Sequence, residues 1–135
     1  MPPNVEAGAT LLLDTSGGLH LHIILNHPAI LQSYGNRPQV VIVSVTTIKP
    51  QKAPDNTVLL NVGDHPFIQH PSYIAYSFAD VKEEMLIAQL GTAHHPVSVE
   101  LLESVIRGAF QSPKTRNHVK DALKQIYPEF AQPSL

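Results

Sequence analysis

The run from Gln39 to Thr47 constrains this chain most. Val40, Val41, Ile42, Val43 and Val45 are all β-branched, and such side chains suit a pleated sheet better than a helix. Because the run is apolar on both faces, it predicts a central strand. Leu19 to Asn26 alternates instead, with Leu19, Leu21, Ile23 and Leu25 on one face and His20, His22, Ile24 and Asn26 on the other. That is the period of a half-buried strand. Thr10 to Leu13 is a short apolar strand, joined to Leu19 to Asn26 through the turn cluster Asp14 to Gly18. Further strands are expected over Thr57 to Val62 and Ser72 to Phe78.

Helical signals come later. Asp80 and Glu83 have capping-box spacing ahead of Met85, Leu86 and Ile87, which predicts a short helix, with a strand over Met85 to Leu90 as the alternative. Ser98 can cap a helix whose buried stripe is Val99, Leu102, Val105, Ile106 and Ala109. Ser112 and Pro113 have N-cap and N1 character for a second helix, buried through Val119, Ala122, Leu123 and Ile126 and ended by Pro128. The expected fold is mainly β with C-terminal helices, an α+β architecture. It is a small SH3-like barrel of about five strands carrying a helical pair.

At 135 residues, with 43% hydrophobic and 15% charged residues, the chain suits one globular domain with a real core. Residues 1–9 read as a flexible arm, 10–90 as the barrel and 97–128 as the helical pair. No cysteine is present, which removes disulfides, thiol catalysis and cysteine-based zinc sites. Met1 to Thr10 lacks a signal-peptide pattern, and no apolar run reaches the roughly 20 residues of a membrane span. A cytoplasmic protein with no membrane partner is expected. The formal net charge of −2 gives no general attraction to nucleic acid, so any RNA contact must be local.

Histidine is the unusual residue, eight of them beside nine lysines and arginines together. His20 and His22 project from one strand face, about 7 Å apart at the Cβ. That spacing suits a chelate, or a pair in which one imidazole tunes the other. The alternative is a polar, solvent-facing strand side, which Asn26 supports. Asp64, His65 and His70 lie in a loop stiffened by Pro66 and Pro71, where an imidazole can act as general acid or base. Alternatively, Asp64 only bonds its own turn and both histidines are turn residues. Thr46 and Thr47 end the valine-rich strand, where a hydroxyl can donate to a phosphate oxygen or merely suit β geometry. No H-E-x-x-H or other specific metal motif occurs. Neither metal nor cofactor is expected.

In order, Val40 to Thr47, Thr57 to Leu60 and Ser72-Tyr73-Ile74 followed by a helix resemble the PemK/MazF family of toxin–antitoxin systems. Val43 to Thr47 is similar to the family strand that ends in a catalytic Thr or Ser, and Ser72-Tyr73 to a family strand start. The match covers roughly Thr10 to Leu90. Gly63 to Ile68 also looks like a stretch found in small uncharacterised bacterial and phage proteins. The family's early strand usually carries Arg-Pro before an aliphatic run. Here Gly18 to Leu25 has histidine in that place, while Arg37-Pro38 precedes the valine run.

The resemblance implies a dimeric barrel and a metal-independent endoribonuclease on single-stranded RNA, with an antitoxin protein as partner. In that chemistry His20 or His22 takes one proton-transfer role and His65 or His70, beside Asp64, the other. Thr46 or Arg37 serves as phosphate donor, with Thr47, Ser72 and Tyr73 on the substrate. The competing expectations are a non-catalytic barrel that binds a protein partner and a metal-dependent hydrolase using the histidines.

Overall fold

The computed structural model describes residues 5–15 and 18–131. The elements in chain order are β1 (Thr10–Thr15), β2 (Gly18–Ile24), β3 (Gln39–Thr47), β4 (Leu59–Leu60), β5 (Ser72–Glu83), α1 (Glu84–Leu90), β6 (Thr92–His94), α2 (Val99–Gln111) and α3 (Asn117–Ile126). A single 3₁₀ turn at Pro128–Phe130 follows. All strand pairings are antiparallel, in the order β4-β5-β3-β2-β1-β6, and the sheet curls into a half-barrel. The protein is thus α+β, with β3 inside the sheet between β5 and β2.

Both faces of β3 are used. Val41, Val43 and Val45 join Leu21, Ile23, Leu25 and Ile74 in a large core closed by Val105, Ile106 and Ala109 of α2 and Val119, Ala122 and Leu123 of α3. The helical pair is therefore part of the core. Val40 and Ile42 point the other way, into a smaller cluster with Leu11, Ile24 and Ile87 of α1. That cluster covers only one end of its face, which leaves the other end open.

Several local expectations change. Ser98 does cap α2, accepting from Leu101 N–H at 3.1 Å. Asp80 and Glu83 do not form a capping box: both belong to β5, and α1 begins at Glu84 without a side-chain cap. Ser112 ends α2 instead of starting α3, because its hydroxyl is drawn to Asp55 Oδ2 at 2.6 Å. The α3 helix starts five residues later than Ser112, at Asn117. The strand expected over Thr57 to Val62 shrinks to Leu59–Leu60, since Asp64 Oδ2 takes the Asn61 N–H at 2.7 Å and turns the chain there. Thr92–His94 adds a sixth strand beside β1.

At the N-terminus, residues 5–9 of the expected arm are tied down. Gly8 N–H donates to Ile24 O at 2.8 Å, and Val5 and Ala9 pack on the smaller cluster. Residues 1–4 of that arm, and Ser16 and Gly17 of the expected turn, lie outside the described residues.

Asn26 ends β2 by substituting its amide for the ladder. It accepts from Val41 N–H at 2.7 Å and donates to Gln39 O at 3.2 Å and His27 O at 2.8 Å, with no exposed surface. It therefore gives no support to a solvated strand side.

The contact of α2 with β5 is made at Gly108. A Cβ there would strike Tyr76 Oη and lie 2.6 Å from Val58 Cγ2, while Tyr76 is fully buried and donates to Val105 O at 2.7 Å. Gly-to-Ala inside an exposed helix normally stabilises by about 1 kcal/mol. Here overpacking wins, and Gly108→Ala is expected to destabilise by about 2 kcal/mol in urea denaturation. Adding Tyr76→Phe removes the clashing oxygen, so the double variant should cost less than the sum of the two singles.

Candidate functional site

Along β3 the face opposite α2 and α3 changes character. Val40 and Ile42 are apolar and covered, and then Ser44 and Thr46 follow at the same period. The register sets His22 opposite Ser44, His20 opposite Leu13 of β1, and Tyr73 of β5 opposite Thr46. Past the α1 cover these side chains line an open cleft of about 790 Å³. A smaller cleft of about 380 Å³ adjoins it, walled by Phe67, Gln69, His70 and Ser72 from the β4–β5 connection. His20, Thr46, Thr47 and Lys49 line both, so they form the shared rim.

The charge in the larger cleft is one-sided. Lys49, Lys52, Lys82 and Arg116 line it, four of the nine lysines and arginines of the chain, while Asp80 is the only carboxylate there of eleven acidic residues. A chain of net charge −2 thus sets four cations against one carboxylate on one concave surface, where field lines are focused. The mouth is partly aromatic. β5 bulges opposite Ile42–Ser44, where the register shifts, and Phe78 in that bulge is 63% exposed. Lys52 Nζ sits 5.9 Å from the centre of its ring.

The two histidines of β2 differ in setting. His22 is buried and its Nδ1 lies 3.1 Å from the His20 carbonyl oxygen. A carbonyl only accepts, so Nδ1 carries the proton and Nε2 keeps its lone pair. Burial, with a smaller contribution from the neighbouring His20 and against that backbone bond, lowers the His22 pKa. His22 is therefore a neutral imidazole near pH 7, with a free basic nitrogen. His20, half-buried, stands at the junction of the two clefts.

Asp80 organises one end of the larger cleft. It meets His118 Nε2 at 2.9 Å, Lys82 Nζ at 3.4 Å and Arg116 Nη2 at 3.8 Å, and accepts from Val81 N–H at 2.9 Å. Partial burial raises its pKa, but these hydrogen bonds and the Lys82 charge outweigh it and hold the carboxyl below the usual range.

The Asp64–His70 loop is divided by the fold. His70 lines the smaller cleft, and its carbonyl accepts from Ser72 Oγ at 2.8 Å. His65 goes to the other side and is 2% exposed. Its Nδ1 accepts from Phe67 N–H at 3.0 Å, so Nε2 bears hydrogen and donates to His95 O at 2.7 Å. The Thr10 hydroxyl bonds the same carbonyl. His65 thus fastens the β4–β5 connection to the chain just after β6, bridging the two rims of the half-barrel. Asp64 closes its own turn on Asn61 and lines neither cleft. Arg37 lines neither cleft, and pairs with Glu83 at 3.3 Å.

No family model matches the chain, and no curated protein matches it. Among the described residues no group of three or more histidine or acidic side chains is placed to hold a metal ion. No helix among them is long and apolar enough to cross a membrane.

Of the sequence-derived residues, the fold gathers His20, His22, His70, Thr46, Thr47, Ser72 and Tyr73 around the two clefts. Lys49, Lys52, Phe78, Asp80, Lys82 and Arg116 also line the larger cleft and are not among the site residues expected from sequence, which gives Asp80 only a capping role and Arg116 only a place on a solvated helix face. The alternation Asp80, Lys82 along a strand could have flagged two of them. Arg116 gives no local signal, because its place follows from how α3 docks.

Proposed function

We propose that the protein binds single-stranded RNA in the joined clefts and cleaves it without a metal ion, in the manner of a toxin-type endoribonuclease. One observation carries the reading: a neutral, proton-accepting His22 and a second imidazole, His20, share a cation-lined cleft with Thr46, Thr47 and Lys49. His22 Nε2 is suited to take the proton of an RNA 2′-hydroxyl. The 2′-oxygen then bonds to phosphorus, the bond from phosphorus to the 5′-oxygen breaks, and protonated His20 delivers a proton to that leaving oxygen. Lys49 and the two threonine hydroxyls donate to the phosphorane oxygens, where charge builds up in the transition state. Open width favours a single strand, whose bases can stack on Phe78. An antitoxin that shields this cleft is the matching partner.

The test uses purified protein and a 5′-labelled mixed-sequence RNA in excess EDTA. Cleavage to 2′,3′-cyclic phosphate and 5′-hydroxyl ends is expected, with a 2′-O-methyl RNA bound but left intact. Absence of both binding and cleavage would sink the reading.

A second reading is a non-catalytic module for a protein partner. It draws on α1, which buries only Ile87 and leaves Met85, Leu86 and Leu90 exposed. It predicts binding partners but no RNA breakdown.

A further inference from the structure

The C-terminal helices do more than fill the core. Arg116, the residue before α3, reaches across β5, where its Nη2 donates to Ala79 O at 2.6 Å and lies 3.8 Å from Asp80. Lys82 approaches the same carboxylate from β5 itself. A single carboxylate thus holds two cations that both line the large cleft, together with His118 of α3 outside it. One negative charge against two permanent positive ones leaves this end positive. The Ala79 bond uses one of five guanidinium N–H donors. Both cations keep about half their side-chain surface in solvent, 50% for Arg116 and 41% for Lys82.

The sheet register separates this end from the rim that carries the histidines. Asp80 pairs with Ile42 and Tyr73 with Thr46, so the two lie four residues, or about 13 Å, apart along β3. One phosphate cannot touch both. Phe78, between them in the β5 bulge, offers a stacking plane.

We infer that Lys82 and Arg116, held by Asp80, form a second phosphate-binding pole, so the cleft engages a strand carrying at least two phosphates. The inference rests on the RNA reading of the same cleft and assigns the helical pair a share in binding. The ligand is an oligonucleotide, with one phosphate at the Thr46–Lys49 rim, a base against Phe78 and a further phosphate at the pole.

The test is fluorescence anisotropy with 5′-labelled 2′-O-methyl hexauridylate and with the single-phosphate dimer 2′-O-methyl UpU, across a salt series. For the hexamer, Lys82→Gln and Arg116→Gln should each weaken binding about tenfold at low salt. Each should flatten the slope of log affinity against log salt by about 0.7. For UpU both variants should match wild type, since the dimer reaches only the rim. Lys82→Gln is the safer variant, because it leaves the Arg116–Ala79 bond in place, and thermal melting monitors both. Wild-type hexamer affinity and slope in Lys82→Gln would overturn the second pole while leaving the RNA reading intact. Equal losses for dimer and hexamer would overturn it too, because the cations would then act as general charge. Failure of wild type to bind either oligonucleotide would remove the RNA reading itself.

Discussion

His20→Ala is expected to slow RNA cleavage by about 10²- to 10⁴-fold while binding of an uncleavable 2′-O-methyl RNA stays within a few-fold of wild type. The two effects separate because different groups carry them. In the proposed mechanism affinity comes from Lys49, Lys52, Lys82 and Arg116, which line the larger cleft. Proton transfer is assigned by the same proposal to His20, the imidazole at the junction of the clefts. The pH–rate profile sharpens the test. An enzyme using His22 as its neutral base loses rate as pH falls and that base is protonated, and the lowered His22 pKa places this limb below the usual imidazole range. His22→Ala should erase that limb. A His20→Ala protein cleaving at more than half the wild-type rate would show that another group does the proton transfer.

The second large effect concerns the fold. His65→Ala should destabilise the protein by about 3 kcal/mol in urea denaturation at pH 7.5, from two lost hydrogen bonds of about 1 kcal/mol each and the loss of a buried ring. The bond from Phe67 N–H requires the neutral ring, whereas the bond to His95 O survives protonation and favours the charged form; burial outweighs it and, ahead of the neighbours His94 and His95, lowers the His65 pKa. The sign of the pH dependence follows. Below about 6.5 the unfolded chain takes up protons that folded His65 and His22 refuse, so the unfolded state gains and stability falls. Above that pH both states are neutral and stability levels off. The urea midpoint of wild type should therefore drop between pH 7.5 and 5.5. His65→Gln, with nothing to titrate, should lose part of that drop and keep the share due to His22. An unchanged pH slope in His65→Gln would show that the ring does not control it.

These residues also mark what was legible in the sequence. The valine-rich β3 was readable because burial on both faces leaves its mark in every residue of the run. The alternation in β2 correctly paired His20 with His22 on one face, since strand period is local geometry. Whether that face was wet was not readable. It depends on α1 covering Ile24 and Ile42, and on Asn26 turning inward to bond β3. The loop histidines show the limit most clearly. His65 and His70 sit in matching His-Pro dipeptides, yet one is drawn into the seam by His95 O and the other faces a cleft. The cations of the larger cleft come from the β3–β4 connection, β5 and the approach to α3, so no stretch of sequence displays them together. Ser112-Pro113 misled because a Ser-Pro pair has the same local chemistry at either end of a helix, and the choice was made by Asp55, distant in sequence.

The half-barrel is closed by an imidazole rather than by a ladder, and its rim strands are very short. β4 has two residues and β6 three. Open sheet edges are templates on which a second chain can crystallise its own backbone, and short ones offer almost nothing to copy. The rim strands themselves therefore offer little to strand addition, although β5 runs well beyond its two-residue pairing with β4. On the proposed readings, a partner at the cationic cleft or at the apolar flank of α1 is recognised through side chains. Recognition of that kind can be tuned one residue at a time, whereas a shared backbone ladder accepts nearly any extended peptide.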